Sequence, residues 1–292
     1  MNLRHWFRVA AVVVSIAVCP ATVFAEQPFA GCLDEFWAGQ PPIAVGRGVA
    51  DALCATHFAT LYSEQTETPL YSAEHLTPDQ IQAAIHRRRV DEFHEDARLP
   101  AAVASTLEDY RRSGYDRGHM APNGDMPDAR SQWESFALSN MVPQNADDNR
   151  NLWADIEMAV RELVLTGGDS VYVVTGPIFG LDDPPPLHGR VQVPELLFKA
   201  VYDETAGIVG VYVAQNAPGY RYWSMSLDQF TANYGIQPFP GLSGAVAALR
   251  GRLPPPIMER RSLSDNGSPA RGRHLETLQR FAQGGGNPRK AA

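Results

Sequence analysis

An amphipathic segment from Asp147 to Leu165 sets the strongest limit on the fold of this chain. Its apolar residues fall at spacings of three and four, the period of an α-helix with one buried face. They are Leu152, Ile156, Val160 and Leu163. The glycine pair at 167–168 ends the pattern. We therefore predict one long helix over residues 147–165, the most regular element of the chain.

The other predicted elements are strands and shorter helices in mixed order. They are an antiparallel strand pair over 53–62 and 70–73, a helix over 77–86, strands over 170–175, 191–201 and 207–213, and a short helix over 227–234. The dipeptide Gly176-Pro177 is expected to stop the first of the three later strands. Because strands and helices do not alternate regularly, the sequence predicts an α+β fold in a single domain over residues 26–262.

Both ends of the chain differ in composition from this domain. Arg4 and Arg8 precede an apolar run over 10–18, and the stretch ending at Ala25 fits a signal-peptidase site. A membrane anchor needs roughly 20 apolar residues, so a cleaved signal peptide over 1–25 is the better interpretation, with a mitochondrial presequence as the alternative. We expect cleavage at about Ala25/Glu26 and a soluble, periplasmic or secreted protein that spans no membrane. Ser, Asn, Gly and Arg predict a disordered tail over 263–292.

The cysteines fit an exported protein. Cys19 leaves with the predicted signal peptide, which keeps Cys32 and Cys54 as an even pair. In an oxidising compartment such a pair is expected to form a disulfide, and two buried free thiols are the alternative.

A polar stretch in the middle of the chain carries candidate catalytic side chains. It contains Asp116-Arg117-Gly118-His119, and Asn149 and Glu157 follow on the predicted long helix. Such residues are compatible with phosphodiester hydrolysis, which needs an activated water, a cation against the charge that builds up on phosphorus, and help for the leaving oxygen. A histidine with an ordinary pKa of about 6.5 can take a proton from water at neutral pH.

These residues and their spacing resemble the DNA/RNA non-specific endonuclease family over about residues 54–242. Further matches are Glu92–Asp96, Ser139–Gln144, Trp153, Val174–Pro177, Pro194, Phe198-Lys199 and Gly235-Ile236. The resemblance implies the ββα-metal (His-Me finger) nuclease fold, a mixed antiparallel sheet with flanking helices. In that fold a strand delivers the histidine and the following helix delivers the metal ligand.

The resemblance also implies a role for each site residue. His119 would be the general base and Asn149 the sole protein ligand of Mg²⁺, for which Mn²⁺ can substitute. Glu157 would act through water, because eight residues of helix separate it from Asn149 by about 12 Å. Asn140 is expected to hold the site through hydrogen bonds, with orientation of His119 as one option. Arg89 would stabilise the pentacovalent phosphate.

The net charge sets a condition on this function. The chain carries −8 at pH 7, and about −10 once Arg4 and Arg8 are removed. A protein with this balance needs a local basic cleft to hold a polyphosphate. We predict that Arg87, Arg88 and Arg117 bind substrate. The register of the catalytic arginine within 87–89 stays open, as does the alternative that the triplet is only a basic helix end.

The predicted function is hydrolysis of DNA and RNA by one Mg²⁺ and a histidine base, leaving 5′-phosphates. One alternative is a phosphodiesterase or nucleotidase that acts on small substrates with the same metal site. Another is a nucleic-acid-binding protein with a dead site, against which the presence of His119, Asn149 and Glu157 argues. Asp147 and Asp148 add a question, since they can repel phosphate or recruit a second cation. The sequence leaves the DNA-versus-RNA preference and the oligomeric state open, a homodimer included.

Overall fold

The computed structural model describes residues 28–256, without 45–47, 168–169, 181–182, 243 and 250–252. The strands are β1 (Ala50–Cys54), β2 (Ala59–Ser63), β3 (Thr68–Leu76), β4 (Tyr115–His119), β5 (Met141–Asn145), β6 (Val171–Ile178), β7 (Leu196–Asp203), β8 (Ile208–Gln215) and β9 (Tyr222–Met225). The helices are α1 (Pro78–Ile85), α2 (Leu107–Tyr110), α3 (Ala129–Ser135), α4 (Ala146–Arg150), α5 (Leu152–Gly167), α6 (Leu227–Tyr234) and α7 (Gly244–Ala247). The predicted signal peptide and C-terminal tail lie outside the described residues.

Seven strands form one antiparallel sheet in the order β1-β2-β3-β6-β7-β8-β9. Strands β4 and β5 form a separate antiparallel pair, in which His119 lies opposite Met141. The predicted α+β class, with an antiparallel sheet and flanking helices, is therefore confirmed.

The sheet separates two apolar cores, as strand β7 shows, because successive side chains of a strand point to opposite faces. Leu197 and Val201 belong to the core that contains Trp153 and Ile156 of α5. Phe198 belongs to the other core, which is closed by the N-terminal segment and by α6. The strand pair β4-β5 packs on the α5 side, where Val142 and Met120, the residue just after β4, join the first of these cores.

Several of the predicted strand boundaries were wrong. Residues 53–62 form the end of one strand and most of the next, which reverse at 55–58 through the hydrogen bond from Ala55 N to Phe58 O. Strand β6 runs through Gly176 to Ile178, because the missing Cβ lets the Leu70 carbonyl approach to 2.5 Å from that position. Strand β7 begins only at Leu196, after Pro194, which has no N–H to donate to a ladder.

The predicted long helix is also broken. Helix α4 ends at Arg150 and α5 begins at Leu152, because Asn151 takes a non-helical conformation with φ −124° and ψ −88°. The Asn151 side chain donates hydrogen bonds to both the backbone and the carboxylate of Asp147 (3.0 and 2.7 Å). Such local bonds compete with helix continuation. Because of this break, Asn149 lies on a separate short helix that is not continuous with α5.

The predicted disulfide between Cys32 and Cys54 is confirmed, with the two Cα atoms 5.7 Å apart. It ties the N-terminal segment, whose Phe29 and Phe36 pack in the core, to the end of β1. None of the helices in the described part of the chain is long and apolar enough to cross a membrane.

Reduction of this disulfide is expected to lower the free energy of unfolding by roughly 2–4 kcal/mol, because the open chain gains conformational freedom when unfolded. Urea unfolding with and without reductant measures the difference, and the Cys32→Ser/Cys54→Ser double variant should lose a similar amount and be insensitive to reductant. Two free thiols in the unreduced, denatured protein would refute the bridge.

Candidate active site

Strand β4 brings His119 to the site, and Gly118 fixes how closely its partner strand approaches. A Cβ at position 118 would lie 2.1 Å from Oε1 and 2.6 Å from Cβ of Gln144. Gln144 is buried and donates a hydrogen bond to Asp148 (2.7 Å), so it has little room to move aside. Position 118 therefore requires glycine for the two strands to pair beside the histidine.

His119 lies between two aromatic rings and is 8% exposed. Its ring centroid is 5.7 Å from that of Phe93 and 5.0 Å from that of Phe136. Its buried Nε2 has no hydrogen-bond partner among the described residues. Burial lowers the pKa of His119 to about 3, and the charges of Arg89 and Arg117 act in the same direction. The imidazole is therefore neutral at physiological pH and has an unused nitrogen that can accept a proton.

The pH dependence of kcat/KM is expected to follow this lowered pKa. Only neutral imidazole accepts a proton, and the neutral form prevails at every pH well above about 3. The rate constant should therefore not fall through pH 6.5, and its His119-dependent part should persist down to the lowest pH tested, which is still above this pKa. Cleavage of a labelled duplex at low substrate concentration from pH 4.5 to 8 measures the profile. A midpoint near 6.5 that disappears when His119 is replaced would contradict the burial described here.

Asn149 lies on α4, and a carboxylate from β4 orients its amide. Its Nδ2 donates to Asp116 (3.0 Å), which also accepts two hydrogen bonds from Arg150 (2.8 and 2.7 Å). Burial alone would raise the pKa of Asp116, but these hydrogen bonds lower it below its usual range. The Asp116 carboxylate accepts the hydrogen bond from the amide nitrogen of Asn149. The amide oxygen of Asn149 is therefore available to bind a cation.

Glu157 lies on α5 in contact with Arg161, one turn further along the helix (3.4 Å). Arg161 also forms an ion pair with the buried Asp125. Burial raises the pKa of Glu157, and the positive charge of Arg161 opposes that shift. Gly124 leaves space for the guanidinium, because a Cβ there would come within 2.6 Å of it. This packing limits the positions that the Glu157 carboxylate can take.

A cleft of about 1200 Å³ joins these groups. His119, Asn149 and Glu157 all line it, as do five arginines: Arg89, Arg111, Arg112, Arg117 and Arg150. Asp91 and Asp116 are the other acidic residues in its lining. The local basic cleft that the net charge required is thus present. Sequence reasoning missed Arg111, Arg112 and Arg150, although the first two stand immediately before the motif.

The remaining predicted site residues lie outside this lining or deep beneath it. Arg87 and Arg88 do not line the cleft, whereas Arg89 does, with its guanidinium 5.1 Å from the Phe136 ring. Asn140 is buried and holds the backbone of Ala121 at both its N–H and its carbonyl (2.9 Å each). Asn140 therefore holds the backbone two residues after His119 in place. It makes no hydrogen bond to the imidazole.

The two acids before Asn149 contribute little to the cleft. Neither Asp147 nor Asp148 lines it. Asp148 is buried, and burial raises its pKa to about 7. The hydrogen bond from Gln144 acts in the opposite direction. Asp147 accepts a hydrogen bond from the backbone N–H of Gly219 (2.7 Å). The geometry supports neither phosphate repulsion nor a second cation at this pair.

The donor set fits a cation that prefers oxygen and keeps much of its water. Within the described residues, no group of three or more His, Cys, Asp or Glu side chains is arranged to hold a metal. Asn149 offers one oriented amide oxygen, and Glu157 offers a carboxylate at the same cleft. Mg²⁺ typically accepts few protein ligands and completes its shell with water and substrate phosphate. The site therefore fits Mg²⁺ and does not fit a closed zinc site.

An antiparallel strand pair that carries a histidine, followed by a helix that carries an asparagine to the same cleft, is the arrangement of the ββα-metal class of nucleases. The model of the family described as "DNA/RNA non-specific endonuclease" matches residues 43–244. The chain belongs to this family.

Named relatives support the assignment. The chain is 33% identical over 214 residues to "Nuclease EXOG, mitochondrial" of Danio rerio, covering 66% of this chain and 62% of the relative. It is 33% identical over 193 residues to "Nuclease 1, mitochondrial" of Schizosaccharomyces pombe, covering 58% of each. A solved structure of EndoG with its inhibitor EndoGI matches with a TM-score of 0.58 and 27% identity, covering 67% of this chain and 88% of that one. The chain thus spans about three fifths of the length of these two sequence relatives.

Proposed function

We propose that this chain is a Mg²⁺-dependent endonuclease that hydrolyses phosphodiester bonds of both DNA and RNA, leaving 5′-phosphates. One observation carries the proposal. A buried, neutral His119 with an unpartnered Nε2 lines the same arginine-rich cleft as Asn149 and Glu157. That combination supplies a proton acceptor, a cation site and phosphate-binding charge within one cavity.

The side chains divide the chemistry between them. His119 takes the proton of the attacking water, for which its neutral state is required. Asn149 would hold Mg²⁺ directly, with Glu157 orienting water around it. When bound, the ion supplies positive charge against the negative charge that grows on the phosphate and the leaving oxygen.

Arg89 is proposed to act on the same phosphate charge. It lies closest in sequence to Phe93, its ring contact with Phe136 places it beside His119, and it lines the cleft. Arg117, whose guanidinium lies 4.0 Å from the Phe93 ring, is proposed as a further phosphate contact. Arg87 and Arg88 do not line the cleft. They are proposed to attract the substrate electrostatically from a distance.

The cleft favours a polymer over a small substrate. Five arginines surround it, more than a mononucleotide with one or two phosphates can contact. Arginine contacts to phosphate carry no direct base information, which suits cleavage without sequence preference.

The test is incubation of plasmid DNA and of total RNA with the mature protein, with added Mg²⁺ or Mn²⁺ and with EDTA. Both substrates should be degraded with either metal, neither should be degraded in EDTA, and the fragments should carry 5′-phosphates. Release of phosphate from mononucleotides, or cleavage of small phosphodiesters, with both polymers intact, would favour the small-substrate alternative.

We also infer export to the periplasm or medium. The disulfide between Cys32 and Cys54 supports an oxidising compartment. N-terminal sequencing of protein recovered from its native host should begin at about Glu26. Retention of residues 1–25 in a soluble cytosolic protein would refute export.

A further inference from the structure

Arg112 has an unusual backbone conformation. It follows α2, lines the cleft, is exposed, and has φ +58°. In this left-handed region a Cβ meets the neighbouring carbonyl oxygen, so a side-chain-bearing residue is strained there and glycine is not. Strained residues that persist beside a cleft are candidates for a functional role.

Arg112 also differs from the other cleft arginines in its contacts. The others each have a carboxylate or ring partner: Arg89 with Asp91 and Phe136, Arg111 with Glu108, Arg117 with Phe93, and Arg150 with Asp116. In the part of the chain that the structure describes, no ion pair, side-chain hydrogen bond or ring contact involves Arg112. Its positive charge is therefore not neutralised by the protein.

These two observations exclude an ordinary structural role. A residue that stabilises the fold through its side chain has packing or hydrogen-bond partners, and Arg112 has none among the described residues. Its backbone conformation would be easier for glycine. What arginine adds at this position is a long side chain with an unpaired positive charge at a cleft.

We propose that Arg112 is a phosphate-binding residue for the nucleic-acid backbone, on the wall formed by α2 and the turn before β4. The inference rests on the proposed function and extends it. A guanidinium can donate two hydrogen bonds to one phosphate. Arg112 lies on the turn before β4, with two residues between it and the strand. It is therefore proposed to bind the substrate backbone without taking part in the chemistry at His119.

Substitution of Arg112 by glycine separates binding from folding. Arg112→Gly relieves the backbone strain, so the unfolding midpoint should stay the same or rise. It removes one phosphate contact, so affinity for nucleic acid should fall roughly 3- to 10-fold at about 0.1 M salt, and the slope of log K against log[salt] should flatten by about one unit. If the Arg112 side chain were needed for folding, Arg112→Gly would instead lower the unfolding midpoint.

The experiment measures binding of a fluorescein-labelled 20-base-pair DNA duplex and of a 20-nucleotide RNA by anisotropy, in EDTA, from 50 to 200 mM NaCl. Arg112→Lys keeps the charge and should retain most of the affinity. Arg130→Gly removes an arginine that is exposed and outside the cleft lining, and should leave the salt slope unchanged.

The outcomes are distinct from those that test the proposed function. Wild-type protein that neither binds nor cleaves nucleic acid refutes the endonuclease proposal itself. Wild-type protein that cleaves, together with an Arg112→Gly variant of unchanged affinity and salt slope, overturns only the role of Arg112. A lowered unfolding midpoint in Arg112→Gly, with equal loss of binding in Arg112→Lys, also overturns it.

Discussion

His119→Ala is expected to lower kcat by about 10²–10⁴-fold, the usual contribution of a positioned general base. Among the described residues that line the cleft, His119 is the one histidine, and its buried Nε2 has no hydrogen-bond partner. KM should change little, because the histidine lies between Phe93 and Phe136 and the phosphate contacts are proposed to come from the arginines that line the cleft. Steady-state cleavage of a defined duplex at saturating Mg²⁺ measures both constants.

The same variant has a stability signature that distinguishes lost chemistry from a damaged fold. The pKa of His119 is about 3 in the folded protein and about 6.5 when unfolded, so the unfolded state binds more protons between these values. Wild-type stability therefore falls as the pH drops below about 6.5. His119→Ala should lose less stability than wild type between pH 7 and pH 5 in urea unfolding. A variant that is already unfolded at pH 7 would make the kinetic loss structural, and His119→Asn then serves as the milder replacement.

Asn149→Ala is expected to abolish Mg²⁺-supported cleavage more completely than Glu157→Ala. The amide oxygen of Asn149 is the proposed direct ligand, oriented by the hydrogen bond from its nitrogen to Asp116. Glu157 is proposed to act through water, which can partly reorganise when the carboxylate is lost. Titration of activity against Mg²⁺ should give a large rise in the concentration needed for Asn149→Ala and a smaller rise for Glu157→Ala.

Asn233→Ala is the control for this pair. Asn233 is exposed on α6 and does not line the cleft, so its loss should leave the Mg²⁺ requirement near that of wild type. Equal losses in Asn149→Ala and Glu157→Ala would argue for two equivalent ligands. Unchanged metal dependence in Asn149→Ala would remove it from the cation site.

The family resemblance and a few local sequence signals predicted part of this arrangement. The strand and helix that carry His119 and Asn149 were expected from the resemblance, and the contact of position 118 with Gln144 shows why the motif requires its glycine. The disulfide followed from an even cysteine count and the predicted compartment. The helix start at Thr77 followed from an N-cap that does accept a hydrogen bond from Gln80 N (3.3 Å).

Specific side-chain and backbone contacts, one of them local and others long-range, explain what the sequence pattern did not reveal. The break at Asn151 depends on a side chain that bonds back to Asp147, and the continuation of β6 through Gly176 depends on the close approach of Leu70 from a neighbouring strand. Periodicity reports neither contact. Arg111 and Arg112 line the cleft because α2 and β4, the elements on either side of them, fold against the site. Arginine positions in sequence therefore indicated a basic cleft but not which residues line it.

The single-turnover rate of cleavage, with enzyme in excess over a labelled duplex and saturating Mg²⁺, tests the role of His119 most directly, because binding and product release do not enter it. Wild type and His119→Ala are compared at each pH from 5 to 8. The proposed mechanism predicts a wild-type rate at least about 10²-fold higher throughout this range. Rates that agree within a few-fold, in a variant that unfolds cooperatively and binds the duplex as wild type does, would contradict a general-base role for His119.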